Sequence, residues 1–389
     1  MALVPKRRLH VAIVAPHFPL ERHERGYPHV METIERLTAG CDVDVIALRD
    51  GTPHAAYRMA GARVRRLGLR SAHGPIGRAR VLAAGVREVL RVHKRAEVDL
   101  VHGLWVDEPG AVATIAARLI RRPSIASVLG GELVSFHDLG YGAAIGRGGR
   151  WTTAVTFRLA GAVTVGSVLL RDLVDLHRPG SLLHPLGIDV TRFRPPAEGN
   201  RLDSFRRVLF VGALEPVKDP ALAIRTFALL AAQRPDLRLE LWGEGSLRSS
   251  LERLSDGLGV HEQVSFRGHV PHPEMPRAYE GASLVLVTSR FESQSVVALE
   301  AAAAGVPVVA TRVGILPELG EAATVVEKDS DDVLAAAAAR VLDDPALATR
   351  MAAAGQALAT ERFDLARTVG GLLDLYLSLT RARQREPLA

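Results

Sequence analysis

The sequence predicts an α/β protein built from two doubly wound, mostly parallel sheets in tandem. Three observations lead there. Short β-type runs alternate with amphipathic helical segments along the chain, the rhythm of strand–helix–strand units. That rhythm breaks once, where Pro185, Gly187, Pro195, Pro196, Gly199 and Asn200 crowd together, and then restarts. A chain of 389 residues with 48% hydrophobic and 24% charged content is globular and long enough for two cores. Domains are expected at 1–185 and 205–365, joined by a linker at 186–204. A last helix over 366–389 is expected to pack back toward the first domain.

The first strand is Leu9–Ala15, a β-type run ended by Pro16. Val30, Ile34 and Leu37 recur at helical spacing and predict a helix over Tyr27–Thr38. Strands follow at Val43–Leu48 and Val64–Leu67. Leu82, Val86, Val89 and Leu90 form one apolar face of a helix over Gly77–Ala96. Next come a strand at Leu100–His102, a helix at Gly110–Leu119, and a strand at Ile125–Leu129 that ends on Gly130-Gly131. A helix at Trp151–Ala160, a strand at Ala162–Val165 and a short helix at Leu169–Leu176 complete the first half. Beyond the linker the strands are Arg207–Val211, Leu237–Trp242, Val264–Arg267, Ala282–Val287, Val306–Ala310 and Thr324–Val326. Helices at Pro220–Gln233, Leu247–Leu258, Met275–Tyr279 and from Ser295 fall between them. Alanine-rich helix covers Asp331–Leu358, and a terminal helix Leu365–Arg383. Doubly wound sheets bind ligands at their switch-point edges, so those two edges are expected to face a shared cleft.

Composition removes several function classes. A single cysteine, Cys41, excludes an internal disulfide and a cysteine-based zinc site. No stretch approaches the roughly 20 apolar residues that span a bilayer. Met1–Val14 lacks a signal-peptide core and cleavage site, so the expected location is the cytoplasm. Residues 1–185 carry 26 Lys/Arg against 16 Asp/Glu, a net +10, whereas 186–389 carry 23 against 27, a net −4. The basic excess suits an anionic partner on the first half, or an arginine-rich solvated surface. Arg80, Arg87, Arg91, Lys94 and Arg95 share a broad face of the helix over 77–96. That face fits an anionic membrane surface at the inner leaflet, or plain solvent. Only 5% of residues are aromatic, which counts against nucleic acid as a partner.

The most informative pair is Glu292 and Glu300, in Ser289-Arg290-Phe291-Glu292-Ser293-Gln294-Ser295-Val296-Val297-Ala298-Leu299-Glu300. A strand precedes the pair and another follows it. With a helix starting near Ser295, Glu292 lies in the loop before it and Glu300 about a turn and a half inside. Free N–H groups at such a helix start suit a phosphate, and two carboxylates suit sugar hydroxyls. Acids also favour a helix N-terminus with no ligand at all.

Four segments in order resemble the second domain of a GT-B glycosyltransferase, family four in particular. They are Val208-Leu209-Phe210-Val211-Gly212-Ala213-Leu214-Glu215-Pro216-Val217-Lys218, Leu241-Trp242-Gly243-Glu244-Gly245, Val264-Ser265-Phe266-Arg267-Gly268-His269-Val270, and the glutamate element continuing through Gly305-Val306-Pro307 to Gly314-Ile315-Leu316-Pro317-Glu318. His184-Pro185-Leu186-Gly187-Ile188-Asp189, with Phe193-Arg194-Pro195, resembles that family's linker signature. The resemblance covers roughly 8–375 and is denser in the second half. It implies the GT-B fold, two Rossmann-like domains facing a cleft. It further implies retaining, metal-independent transfer of a sugar from a UDP- or GDP-sugar to a hydroxyl acceptor on a glycan, lipid or small metabolite, with no cofactor required. Lys218 and Glu292 would be catalytic. Gly212, Lys218, Gly243, Gly268, His269, Glu292, Ser295, Val296 and Glu300 would hold the donor, Glu300 through the ribose hydroxyls. Gly26, His102, Gly130, Gly131, Glu132 and His137 are the acceptor-side or phosphate-loop candidates.

The chain departs from the family's pattern in three places. Ala213 stands where an arginine is usual, Leu129 where a histidine is usual, and the first turn keeps a single glycine, Gly26. These departures favour a rival, a catalytically weak sugar-nucleotide-binding paralogue. Another GT-B enzyme such as a sugar-nucleotide epimerase is a further alternative. The intact glutamate pair and Lys218 favour transfer. Asp331-Asp332 and Asp343-Asp344 read as helix-start acids rather than metal ligands. His17 and His102 read equally well as structural histidines.

Overall fold

The protein is described from a computed structural model, over residues 7–20, 27–49, 55–69, 74–195, 206–327 and 330–385. Gly26 lies outside these residues. The chain divides into two compact units, one of residues 1–166, 170–186 and 366–389, the other of 167–169 and 187–365. Both are α/β units on parallel sheets, as in the GT-B fold.

The first unit contains β1 (Leu9–Ala15), α1 (Pro28–Gly40), β2 (Cys41–Ala47), β3 (Ala55–Met59), β4 (Ala62–Arg66), α2 (Gly74–Arg95), β5 (Leu100–Leu104), α3 (Glu108–Leu119), β6 (Ser124–Val128), α4 (Arg147–Leu159), β7 (Ala162–Val165), α5 (Val168–Asp175) from Leu170 onward, and β8 (Leu182–Leu183). Its strand order is β3-β4-β2-β1-β5-β6-β7-β8, parallel except for the β3–β4 hairpin. Strand β3 was not expected. Its alternating half-exposed residues and the turn at Ala60 (φ 51) and Gly61 (φ 75) explain why: two positive φ angles make a hairpin turn, and alanine does not announce one. Ala12, Val14, Ile46 and Val101 from the sheet pack on Val81 and Val89 of α2 and Val112 and Ala116 of α3. The apolar stripe read from Leu82 and Val89 is therefore the buried face of α2. Arg80, Arg87, Arg91, Lys94 and Arg95 lie on its exposed side.

The second unit contains β9 (Arg206–Val211), α6 (Pro220–Ala231), β10 (Leu237–Trp242), α7 (Arg248–Gly257), β11 (Val264–Gly268), α8 (Pro276–Tyr279), β12 (Ala282–Val287), α9 (Val296–Ala303), β13 (Val308–Thr311), β14 (Ala323–Val326), α10 (Asp331–Asp343) and α11 (Pro345–Arg362). The order β11-β10-β9-β12-β13-β14 is that of a dinucleotide-type sheet, all parallel. Both faces are covered. Val208, Phe210, Leu239 and Leu241 meet Phe227 of α6 and Leu334 of α10, while Leu209, Val285 and Val308 meet Leu299 of α9. The single alanine-rich helix expected over Asp331–Leu358 is two. Asp344 leaves helical geometry, accepts the Leu347 N–H at 2.9 Å and is followed by Pro345 at the start of α11.

The last helix, α12 (Leu365–Arg385), belongs to the first unit from Ala366 onward. Val369, Leu372 and Tyr376 form its buried stripe. Tyr376 is fully buried, and its hydroxyl lies 2.7 Å from His102 Nδ1.

Candidate functional site

In the second sheet the chain leaves β9 toward β10 on one side and returns to β12 on the other. The switch point therefore falls between β9 and β12. The loops after those two strands carry Lys218 and Glu292. Lys218 Nζ lies 2.6 Å from Glu292 Oε1, and Ser289 Oγ donates to the same oxygen at 2.8 Å. Both bonds fall on Oε1, so Oε2 keeps its acceptor capacity among the described residues. The lysine loop is tied to the glutamate loop by Thr288, whose hydroxyl donates to the Asp219 carbonyl at 2.8 Å. The Arg290 N–H donates to the Val217 carbonyl at 2.9 Å. Thr288 and Ser289 were missed by sequence reading; hydroxyls directly after a strand were the available signal.

Glycines set the floor. Gly212 (φ 153), Gly243 (φ 154) and Gly268 (φ 75) end β9, β10 and β11 side by side. Gly212 N–H bonds the Trp242 carbonyl, and Gly243 bridges Gly268. A Cβ on Gly243 would stand 1.9 Å from the Gly212 carbonyl oxygen, so only glycine fits there. His269 follows as an exposed residue, and Ala213 is exposed as well.

Helix α9 starts at Val296, after Ser295 at φ 77. Among the described residues Ser295 closes no cap bond, and its buried hydroxyl has no partner. The first amides of α9, Val296 included, therefore have no side-chain cap at an end that carries partial positive charge. Glu300 lies deeper, 2% exposed. Tyr279 Oη donates to its Oε2 at 2.7 Å, and His272 Nε2 lies 2.9 Å from its Oε1. Burial and the Glu300 charge push the Tyr279 phenol well above its ordinary value, keeping it a donor. Neither partner of Glu300 was foreseen, because each comes from a segment remote in sequence.

On the first unit the expected acceptor residues do not form one exposed group. His102 is 2% exposed. Its Nδ1 meets Tyr376 and its Nε2 meets Ser127 Oγ at 2.7 Å, which continues to Thr164 Oγ1 at 2.6 Å. Burial, with His184 nearby, pushes its pKa down to about 3, so it is a neutral interior group. Glu132 is also buried. It accepts the Val106 and Leu129 N–H groups on Oε1 and the Gly130 N–H on Oε2 at 2.7 Å, so it organises its loop from inside. Gly130 and Gly131 are small because rings stand over them: added Cβ atoms would lie 3.1 Å from Trp105 Nε1 and 2.5 Å from Tyr141 Cε1. His137 sits exposed on a turn closed between Phe136 and Tyr141.

Two family models match: glycosyl transferases group 1 over residues 196–358, and a glycosyl transferase 4-like domain over 27–181. The chain belongs to the GT-B glycosyltransferases. Similar GT-B structures include sucrose-phosphate synthase from Thermosynechococcus elongatus, 21% identical with a TM-score of 0.77, covering 96% of this chain and 100% of that one. Anabaena HepE in complex with UDP and glucose is 18% identical with a TM-score of 0.75, covering 95% and 100%. Among curated relatives, D-inositol 3-phosphate glycosyltransferase of Thermobispora bispora is 34% identical over 243 residues, 56% of either chain. A GDP-mannose-dependent alpha-(1-6)-phosphatidylinositol monomannoside mannosyltransferase of Mycolicibacterium smegmatis is 31% identical over 51% of this chain and 57% of that one. The chain thus spans about half the length of the curated relatives it matches.

Proposed function

We propose that this protein is a retaining, metal-independent glycosyltransferase that moves a sugar from a UDP- or GDP-sugar to a hydroxyl acceptor. The observation that carries the proposal is the Lys218–Glu292 pair at the switch point, beside the uncapped start of α9. A diphosphate leaving group develops charge as its bond to the anomeric carbon breaks. Lys218 and the α9 amides are positioned to neutralise it. The acceptor oxygen bonds to the same face of that carbon, and its proton passes to the departing phosphate oxygen. Glu292, held by Lys218 and Ser289 through one oxygen, offers the other to a donor-sugar hydroxyl. Glu300, supported by Tyr279, is the ribose contact on release of His272. Both nucleotides have support among relatives: HepE is seen with UDP, and the Mycolicibacterium enzyme is named for GDP-mannose.

A donor panel tests the proposal. Release of UDP or GDP should be seen with one sugar nucleotide and should be insensitive to EDTA. It should fall at least 100-fold in Lys218→Ala and Glu292→Gln. Thermal stabilisation by the matching nucleoside diphosphate should accompany it. Full turnover in both variants would sink the site assignment, and no stabilisation by any nucleoside diphosphate would sink the donor reading.

We also propose a cytoplasmic protein peripheral to the inner leaflet. Among the described residues no helix is long and apolar enough to cross a membrane. The exposed arginines of α2 lie on a unit that also exposes Ile76 (72%) and Trp151 (54%), at the starts of α2 and α4, where Arg78 packs against Gly148. Flotation with anionic vesicles at low salt should carry the protein upward, and neutral vesicles should not.

A further inference from the structure

The first sheet has a switch point of its own, between β1 and β5, since the chain passes from β1 to β2 on one side and enters β5 on the other. The segments after those strands deliver His17 and Tyr27, and Trp105 and Asp107. None of these was singled out for donor binding. The Tyr27 ring stands 4.4 Å from the Trp105 indole, and the His17 ring 4.9 Å from Tyr27, so three rings form a row. Tyr27 is 42% exposed. Trp105 holds φ at 70, a left-handed conformation that a bulky residue keeps only under constraint from its surroundings. Among the described residues, neither Tyr27 Oη nor Trp105 Nε1 has a hydrogen-bond partner. Asp107 is half-buried at the start of α3 and closes no cap bond. Behind them, Glu132 ties the Trp105–Asp107 loop to the Leu129–Gly130 loop through the Val106, Leu129 and Gly130 amides.

Part-exposed aromatic rings with open donors, beside a part-buried carboxylate, match the two-sided chemistry of a carbohydrate or cyclitol ring. The C–H face of such a ring is weakly positive and rests on the negative face of an aromatic ring. Its hydroxyls donate to the carboxylate and accept from the indole and phenol. An anionic substituent at the same place meets repulsion. Burial and the Glu108 charge push Asp107 up to about 6, and burial and the Asp107 charge push Glu132 up to about 7. The nearby Arg49 and Arg78 are both spent on Glu108, at 2.6 and 3.0 Å.

We infer that Tyr27, Trp105 and Asp107 form an acceptor subsite that takes an uncharged polyhydroxylated ring in preference to its phosphate ester. The inference rests on the transferase reading of the second unit and adds the acceptor class to it. The experiment offers the full chain paired acceptors with its best donor: myo-inositol against inositol 3-phosphate, and methyl α-glucoside against glucose 6-phosphate. The uncharged member should show at least a tenfold higher kcat/KM for the pair that reacts. Tyr27→Ala and Asp107→Asn should each raise the acceptor KM at least tenfold and leave stabilisation by the nucleoside diphosphate as it is. Asp107→Asn should also narrow the discrimination against the phosphate ester. Tyr27→Phe keeps the ring but loses the phenol donor, and should raise the acceptor KM by less than Tyr27→Ala does. An acceptor KM unmoved in Tyr27→Ala and Asp107→Asn, or preference for the phosphate ester, overturns the subsite alone. Absence of any nucleoside-diphosphate stabilisation in wild type overturns the transferase reading and this one with it.

Discussion

Glu132→Gln should change how the stability of the first unit depends on pH, and the structure sets the size of the change. A glutamate ionises near 4.5 in an unfolded chain, whereas burial and the Asp107 charge hold Glu132 up to about 7, against the pull of the Leu129 and Gly130 amides. Between those values the folded protein keeps a proton that the unfolded chain has released. The stabilisation is therefore fully present below about 4.5 and is lost as pH rises through about 7. At ~1.4 kcal/mol per pH unit this is about 3 kcal/mol. His102 slopes the other way: its folded value near 3 lies below the ordinary 6.5, so its contribution falls as pH drops below 6.5. Asp107, raised from 3.8 to about 6, slopes as Glu132 does. His102 is present in wild type and variant and cancels in the difference, whereas Asp107, whose charge acts on Glu132, titrates together with it and is part of the difference. Glutamine also turns an amide toward backbone N–H groups, which costs about 1–3 kcal/mol at every pH. The assay is urea unfolding at a series of pH values from 5 to 8.5, followed by tryptophan fluorescence. Carrying Trp242→Phe in both proteins leaves Trp105 and Trp151 to report the first unit. The free energy of Glu132→Gln relative to wild type should rise by roughly 2–3 kcal/mol over that range, the part below pH 5 lying outside it. Parallel curves would refute the burial of an ionisable carboxyl there.

Tyr279→Phe removes the hydroxyl that donates to a buried carboxylate, and should destabilise the second unit by roughly 1.5–3 kcal/mol in urea unfolding. Gly243→Ala would press a Cβ to 1.9 Å from the Gly212 carbonyl oxygen. Loss of nucleoside-diphosphate stabilisation together with a Tm lowered by several degrees is expected. Tyr376→Phe takes away one hydrogen-bond partner of the buried His102. About 1–3 kcal/mol of destabilisation is expected, with faster amide exchange concentrated in α12.

Much of the architecture could be read because the signals were local. Parallel strands buried on both faces appear as unbroken runs such as Val208–Val211, and amphipathic helices show a repeat such as Val81, Leu82 and Val89. Strand β3 escaped because a half-exposed edge strand has neither signature. The residues proposed for the donor side could be placed together for a related reason. Lys218 and Glu292 each follow a clear strand, so the order of strands alone brings them to one switch point. What the sequence could not show is which acids remain reachable. Glu132 and Asp107 look alike in composition and loop position. Yet Glu132 turns inward onto three backbone amides, and Asp107 keeps part of its surface exposed and makes no side-chain cap bond.

The same distinction bears on Leu129, where a histidine is usual for the family. Its backbone N–H is one of the three that Glu132 binds, so the loop is built around a buried carboxyl rather than around the side chain at 129. A histidine there would add a second titrating group beside one already held near neutral pH. The loop therefore keeps its shape without that histidine, and Asp107, with the rings of Tyr27 and Trp105, supplies the polar and stacking contacts this edge of the sheet can offer.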